Sequence, residues 1–64
     1  MKLKELKKGE WFTIRPLEYP AESQVYIKGD YDRELKKYEC GRWHDISEAV
    51  YLKGEREVYT DFIF

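Results

Sequence analysis

The chain has 64 residues, of which 42% are hydrophobic and 39% charged, and its formal net charge is −1. This length predicts one small domain, residues 1–64, near the lower limit for folding without disulfides or metal ions. The only cysteine, Cys40, excludes an internal disulfide. A domain that binds polyanions usually has a pI above about 9, whereas this sequence has a pI of 5.8. Nucleic acid is therefore not the expected partner.

No apolar run in the sequence is long enough to span a membrane, and residues 1–8 lack the apolar centre of a signal peptide. We therefore expect a cytoplasmic protein with a reduced cysteine and no membrane partner.

In chain order, the first predicted element is a short N-terminal turn with Leu3 and Leu6 on one side. Five segments follow in which apolar and polar residues alternate, and this period of two predicts strands. They are Glu10–Arg15, Gln24–Lys28, Lys37–Trp43, Glu48–Lys53 and Val58–Phe64. The expected inward side chains are Phe12, Ile14, Val25, Ile27, Tyr38, Cys40, Val50, Leu52, Val58, Phe62 and Phe64.

Turn signals separate these segments. Pro16 and Pro20 predict an irregular first loop because proline cannot donate to a ladder, and Lys53–Arg56 predicts a tight hairpin turn before the last strand. Five short strands in so short a chain favour a closed sheet, since closure removes exposed edges. The sequence therefore predicts an all-β fold, a five-stranded SH3-like barrel with a short N-terminal turn.

Six stretches of the chain resemble a group of short uncharacterised proteins of gut bacteria and their phages. They are Gly9–Thr13, Ser23–Gly29, Tyr31–Arg33, Lys37–Cys40, Leu52–Gly54 and Val58–Phe64. The resemblance implies a compact β domain encoded by a phage or mobile element. It implies no activity, because no function is established for that group.

Two patterns in the sequence suggest chemistry, but each has a simpler structural explanation. Cys40 and His44 are four residues apart, but a reactive thiol needs an exposed, electropositive site, and the alternation places Cys40 inside. The spacing of Asp30, Asp32 and Glu34 is similar to a calcium loop, but that loop's later positions lack the required Gly and Glu. We therefore predict no catalytic residues, no metal and no cofactor.

The candidate binding surface combines outward aromatic residues with the aromatic and basic residues that interleave around the second and third strands: Trp11, Tyr26, Lys28, Tyr31, Arg33, Trp43 and Tyr59. Exposed Trp and Tyr on adjacent strands are typical of interfaces. In the alternative arrangement, the loop 16–23 or the Leu3/Leu6 turn folds over these aromatics, and the sequence leaves both open.

The sequence thus favours a non-enzymatic protein-binding module, a stoichiometric modulator that acts through an exposed aromatic face. Its protein partner is unknown. The apolar last strand, from which Tyr59 and Ile63 project, also favours a weak homodimer through the aromatic face. The alternative is a small barrel that binds single-stranded nucleic acid by stacking bases on Tyr26, Tyr31 and Trp43.

Overall fold

The computed structural model describes residues 1–63, apart from the side chain of residue 46. Over these residues the chain forms two short 3-10 helices and four strands. In chain order they are the 3-10 helix Leu3–Glu5, β1 (Trp11–Phe12), the 3-10 helix Glu22–Gln24, β2 (Tyr26–Asp32), β3 (Lys37–Arg42) and β4 (Asp45–Leu52).

The strands form one antiparallel sheet in the order β1-β2-β3-β4, so each strand pairs with the next one in the chain. The predicted all-β class is confirmed, and so is the short N-terminal turn. The predicted five-stranded SH3-like barrel is wrong. Within residues 1–63 the sheet has four strands and remains open, with β4 at one edge.

The predicted fifth strand, Val58–Phe64, is the main correction. Where this segment is described, its sheet-like pairing is an isolated bridge between Tyr59 and Thr13, next to a second bridge between Glu57 and Lys2; residue 64 lies outside the described residues. The physical reason is the antiparallel register. With Tyr59 opposite Thr13, residues 60 and 61 would fall opposite Phe12 and Trp11, but β1 is only these two residues long. Before β1 the chain turns, with the Glu10 amide donating to the Lys7 carbonyl at 3.1 Å, so no extended strand lies opposite residues 62 and 63.

The core lies on one face of the sheet and is closed by the N-terminal turn. Its buried cluster consists of Leu3, Leu6, Phe12, Tyr26, Cys40 and Val58, with Ile14, Tyr38, Val50 and Leu52 packed against it. The rings of Phe12 and Tyr26 stack with centroids 5.6 Å apart. Because Leu3 and Leu6 are buried in this cluster, the turn covers the core face rather than the opposite face.

In β2 the predicted inward and outward faces are exchanged. Tyr26 pairs with Phe12 of β1, and Lys28 pairs with Cys40 of β3. Residues directly opposite each other in an antiparallel sheet lie on the same face, so Tyr26 and Lys28 face the core and Ile27 faces away. A slip of one residue has this effect on every side chain of a strand.

Charged contacts join the N-terminal turn to the segment that follows β4. The ammonium groups of Lys2 and Lys4 lie 2.8 and 2.6 Å from the two carboxylate oxygens of Glu55. Backbone bonds run in parallel with these contacts, since the Lys4 amide donates to the Gly54 carbonyl at 3.0 Å. The two lysines lower the pKa of Glu55 from its ordinary 4.5 to about 2 through hydrogen bonds and charge attraction.

This shift predicts an acid-dependent stability. A carboxyl with a lowered pKa in the folded state stabilises the fold above its unfolded pKa, and this contribution disappears as the pH falls through the folded value. We expect Glu55→Gln to lower the melting temperature at pH 7, and the gap from the wild type to close between pH 4.5 and about 2. Thermal melts by circular dichroism measure it. Glu34→Gln, on an exposed turn, is the control, and a gap that stays constant over this range would contradict the assignment.

Candidate functional site

The structure separates the residues that the sequence predicted as one binding surface. Trp11 and Tyr31 are 44% and 48% exposed, and Arg33 is exposed in the turn between β2 and β3. Trp43 and Tyr59 are half-buried. Tyr26 and Lys28 are buried, 8% and 6% exposed, so their assignment to the surface is wrong.

The remaining members do not form one patch either. Tyr31 packs edge-on against Tyr38, on the core side of the sheet, with ring centroids 4.9 Å apart. Tyr59 exchanges two backbone hydrogen bonds with Thr13, each 2.9 Å long. Because Tyr26 belongs to the core, the nucleic-acid hypothesis loses one of its three stacking residues.

Lys28 is held in the core by two contacts. Its ammonium group donates a hydrogen bond to the backbone carbonyl of Leu6 and lies 4.3 Å from the centroid of the Tyr38 ring. Among the described residues, no carboxylate forms an ion pair with it. A buried charge is tolerated only when polar partners replace its water, and here a carbonyl and an aromatic face do so.

Cys40 lies opposite Lys28 and is fully buried. Burial raises the pKa of the thiol above its ordinary value, although the Gly29 backbone and the Lys28 charge act in the opposite direction. His44 is exposed in the turn after β3. The arrangement fits an inert core thiol better than an activated one, because the nucleophilic form is the thiolate.

We therefore expect native Cys40 to resist alkylation. At pH 8 iodoacetamide should modify it at the rate at which the domain opens, because the folded thiol is both buried and kept protonated. Mass spectrometry with and without urea measures the rate. A Cys introduced at exposed Glu22 in a Cys40→Ser background is the reactive control; equal rates at both positions in the folded protein would contradict the prediction.

The outer face of the sheet, opposite the core, is the strongest candidate site. A row of paired residues crosses all four strands, from Trp11 on β1 through Ile27 and Gly41 to Ala49 on β4. Paired residues share a face, and Tyr51 lies two residues beyond Ala49 on the same side. The Trp43 ring meets that of Trp11 edge-on at 6.1 Å. We call the set Trp11, Ile27, Gly41, Trp43, Ala49 and Tyr51 the outer face.

Neither segment that was expected to cover the aromatics lies over the outer face. The N-terminal turn packs on the core side. The loop 16–23 packs beside the last residues of the chain, where the Ile63 amide donates to the Glu18 carbonyl at 2.8 Å. Trp11 and Tyr51 accordingly remain 44% and 43% exposed.

The alternation signalled Trp11, Ala49 and Tyr51 as outward residues but missed Ile27. Ile27 was expected to point inward with Val25. The register of β1 against β2, with Trp11 opposite Ile27, is what places Ile27 beside Trp11. When the loop between two strands is long, the sequence does not fix this register.

The described part of the chain has neither a cluster of metal-ligating residues nor a helix that could span a membrane. There, no group of three or more His, Cys, Asp or Glu residues is placed to hold a metal ion. Asp32 instead serves its own turn, since one of its carboxylate oxygens accepts from the amides of Glu34 and Leu35 at 2.9 and 3.1 Å. No helix formed by residues 1–63 has the length and apolar character of a membrane span.

The chain matches no protein-family model, no curated protein and no solved structure. The resemblance to short proteins of gut bacteria and phages therefore stays a prediction.

Proposed function

We propose that this protein is a non-enzymatic binding module whose outer face docks on a protein partner. The observation that carries the proposal is the continuity of that face. One row of paired residues joins Trp11, Ile27 and Ala49 across the whole sheet. Large aromatic residues, Trp and Tyr above all, are the usual anchors of protein interfaces.

The shape of the outer face also favours a protein over a small ligand. Gly41 contributes no side chain to the middle of the row, so the surface between Ile27 and Ala49 is low while the tryptophans stand at one end. Small-molecule sites are instead deep and bury most of their ligand. A protein partner could place a protruding side chain in the low region above Gly41 and contact the tryptophans beside it.

A binding module of this kind acts stoichiometrically, which agrees with the predicted role of a phage- or mobile-element-encoded modulator. If the predicted weak homodimer forms, its interface differs from the one that the sequence suggested. Tyr59 is half-buried and pairs with Thr13, so a self-association would use the outer face instead of the C-terminal segment.

Site-specific photo-cross-linking tests the proposal. A benzophenone amino acid in place of Ala49, at the β4 end of the outer face, should yield one discrete protein adduct in the cells that express the protein. The same group in place of exposed Glu22, in the second 3-10 helix, is the control and should not.

The adduct should weaken strongly when Trp11→Ala is added, provided the melting temperature of the variant shows that it is folded. An adduct of twice the chain's mass would identify a second copy as the partner. Equal cross-linking from positions 49 and 22, or none from either, would overturn the proposal.

A further inference from the structure

The outer edge of β4 offers an unused set of backbone hydrogen-bonding groups. β4 is the last strand of the sheet and has β3 as its one strand neighbour. Residues Ala49–Leu52 pair regularly with β3, so their alternate amides and carbonyls point away from it. Among the described residues, no backbone–backbone hydrogen bond outside the β3–β4 ladder involves β4, and the Ser47 amide, before this regular part, donates to the Asp45 carboxylate.

The charges around this edge are divided between its two ends. Asp45 and Glu48 lie at the beginning of β4, where the register with β3 is also shifted. At its other end a surface cleft of about 420 Å³ is lined by Lys37, Tyr51, Leu52, Lys53, Glu55 and Arg56. The regular part of the edge therefore leads directly into a basic cleft.

The bases of this cleft are available to a partner. The structure gives no ion pair for Lys37, Lys53 or Arg56 within residues 1–63. The one acid in the lining, Glu55, is already held by Lys2 and Lys4. A second cleft continues beyond Lys53 and adds Lys36 to the positive end. We call Lys36, Lys37, Lys53 and Arg56 the basic end.

We propose that the partner contributes an extended acidic peptide segment that adds to the edge of β4 as a fifth strand, with its carboxylates on the basic end. The backbone of the segment would pair with Ala49–Leu52, in the mode known as β-augmentation. Its acidic side chains would form ion pairs with Lys37, Lys53 and Arg56, for which the described residues give no carboxylate partner. The inference rests on the proposed protein-binding function and names the class of its partner.

The edge favours a peptide over a nucleic acid. A peptide backbone matches the alternating donors and acceptors of a strand edge, which a phosphodiester chain does not. The positive region is also short, because a cleft lined by Asp30, Asp32, Glu34 and Glu39 lies on the neighbouring β2–β3 turn. A longer polyanion would meet these carboxylates.

Titration with a defined probe tests the proposal. The probe is a short fluorescein-labelled peptide of alternating glutamate and valine, followed by fluorescence anisotropy, with backbone amide shifts mapped by NMR. We expect saturable binding with the largest amide shifts at residues 49–52. Lys53→Glu combined with Arg56→Glu should weaken the affinity by roughly tenfold or more. Lys7→Glu with Arg15→Glu, which changes the net charge equally at exposed positions elsewhere, should leave it nearly unchanged.

Three further measurements decide between the occupants. The same peptide with N-methyl groups on alternate residues should not bind, because it cannot complete the backbone pairing, and this needs no change in the protein. Tighter binding of a charge-matched oligo(dT), or amide shifts confined to other strands, would overturn the proposal. A dimer in sedimentation that does not bind the peptide, with amide shifts on dimerisation at residues 49–52, would overturn it as well.

The two proposals can fail separately. Cross-linking from position 49 without any binding of the acidic peptide would refute the addition of a strand to β4 but would still support docking on the outer face. Peptide binding without a cross-linked partner would refute docking on the outer face but would still support strand addition at the edge of β4.

Discussion

Replacing Phe12 by alanine is expected to leave the domain largely unfolded at room temperature. Phe12 is fully buried and its ring stacks on Tyr26 at 5.6 Å. Truncating a buried phenylalanine costs about 3–5 kcal/mol, from the lost transfer of apolar atoms and the cavity left behind. In a domain of 64 residues the single hydrophobic core rarely supplies more than about 3–5 kcal/mol of net stability, so this loss removes most of it. Urea unfolding followed by circular dichroism measures the loss.

The matched control is the same substitution at Phe62. This residue lies in the predicted fifth strand, but the structure leaves it half-buried beside the loop 16–23. Phe62→Ala should therefore lower the free energy of unfolding clearly less than Phe12→Ala. The opposite ranking would mean that the C-terminal segment, rather than β1 and β2, organises the core.

Much of the sheet could be predicted from residue patterns because its strands obey simple alternation. In β3 and β4, Cys40, Val50 and Leu52 face the core as expected, and Tyr51 faces away. These strands are joined by a short turn, which fixes their approximate register. The predicted turn at Lys53–Arg56 also exists, with the Arg56 amide donating to the Lys53 carbonyl at 3.0 Å.

Whether the sheet closes into a barrel could not be predicted from the sequence, because closure depends on pairing between distant segments. The alternation of residues 58–64 describes a segment that is able to form a strand, and Val58 does enter the core. Whether it becomes a strand depends on its neighbour. β1 has only two residues, and the antiparallel bridge between Tyr59 and Thr13 directs residues 60–63 along β1 towards the turn at Gly9, whose φ is +92°. The available ladder is too short.

The reversed face of β2 has a related cause. Between Val25 and Lys28 the sequence offers two alternations, one with Val25 and Ile27 inside and one with Tyr26 and Lys28 inside. Hydropathy favours the first. The structure buries both Val25 and Tyr26, because Val25 ends the second 3-10 helix before β2 begins. No local pattern reveals that the ammonium of Lys28 will find the Leu6 carbonyl 22 residues earlier in the chain.

Lys28 therefore provides the second large effect that we expect. Lys28→Glu should destabilise the domain by more than about 3 kcal/mol, in the range measured when a buried charge loses its partner. The new carboxylate would face the Leu6 carbonyl oxygen and the electron-rich face of Tyr38, two groups that now stabilise a cation. It would also lie in a position that is only 6% exposed, where water cannot compensate it.

Lys28→Met separates the effect of charge from that of shape. Methionine keeps an unbranched apolar stem in the same space but leaves the Leu6 carbonyl without this donor, which costs about 1–3 kcal/mol for a buried group. Urea unfolding should therefore rank the wild type first, Lys28→Met second and Lys28→Glu last. If Lys28 were instead the surface binding residue that the alternation predicts, all three proteins would unfold at nearly the same urea concentration, since substitutions at exposed positions usually change stability by no more than about 0.5 kcal/mol.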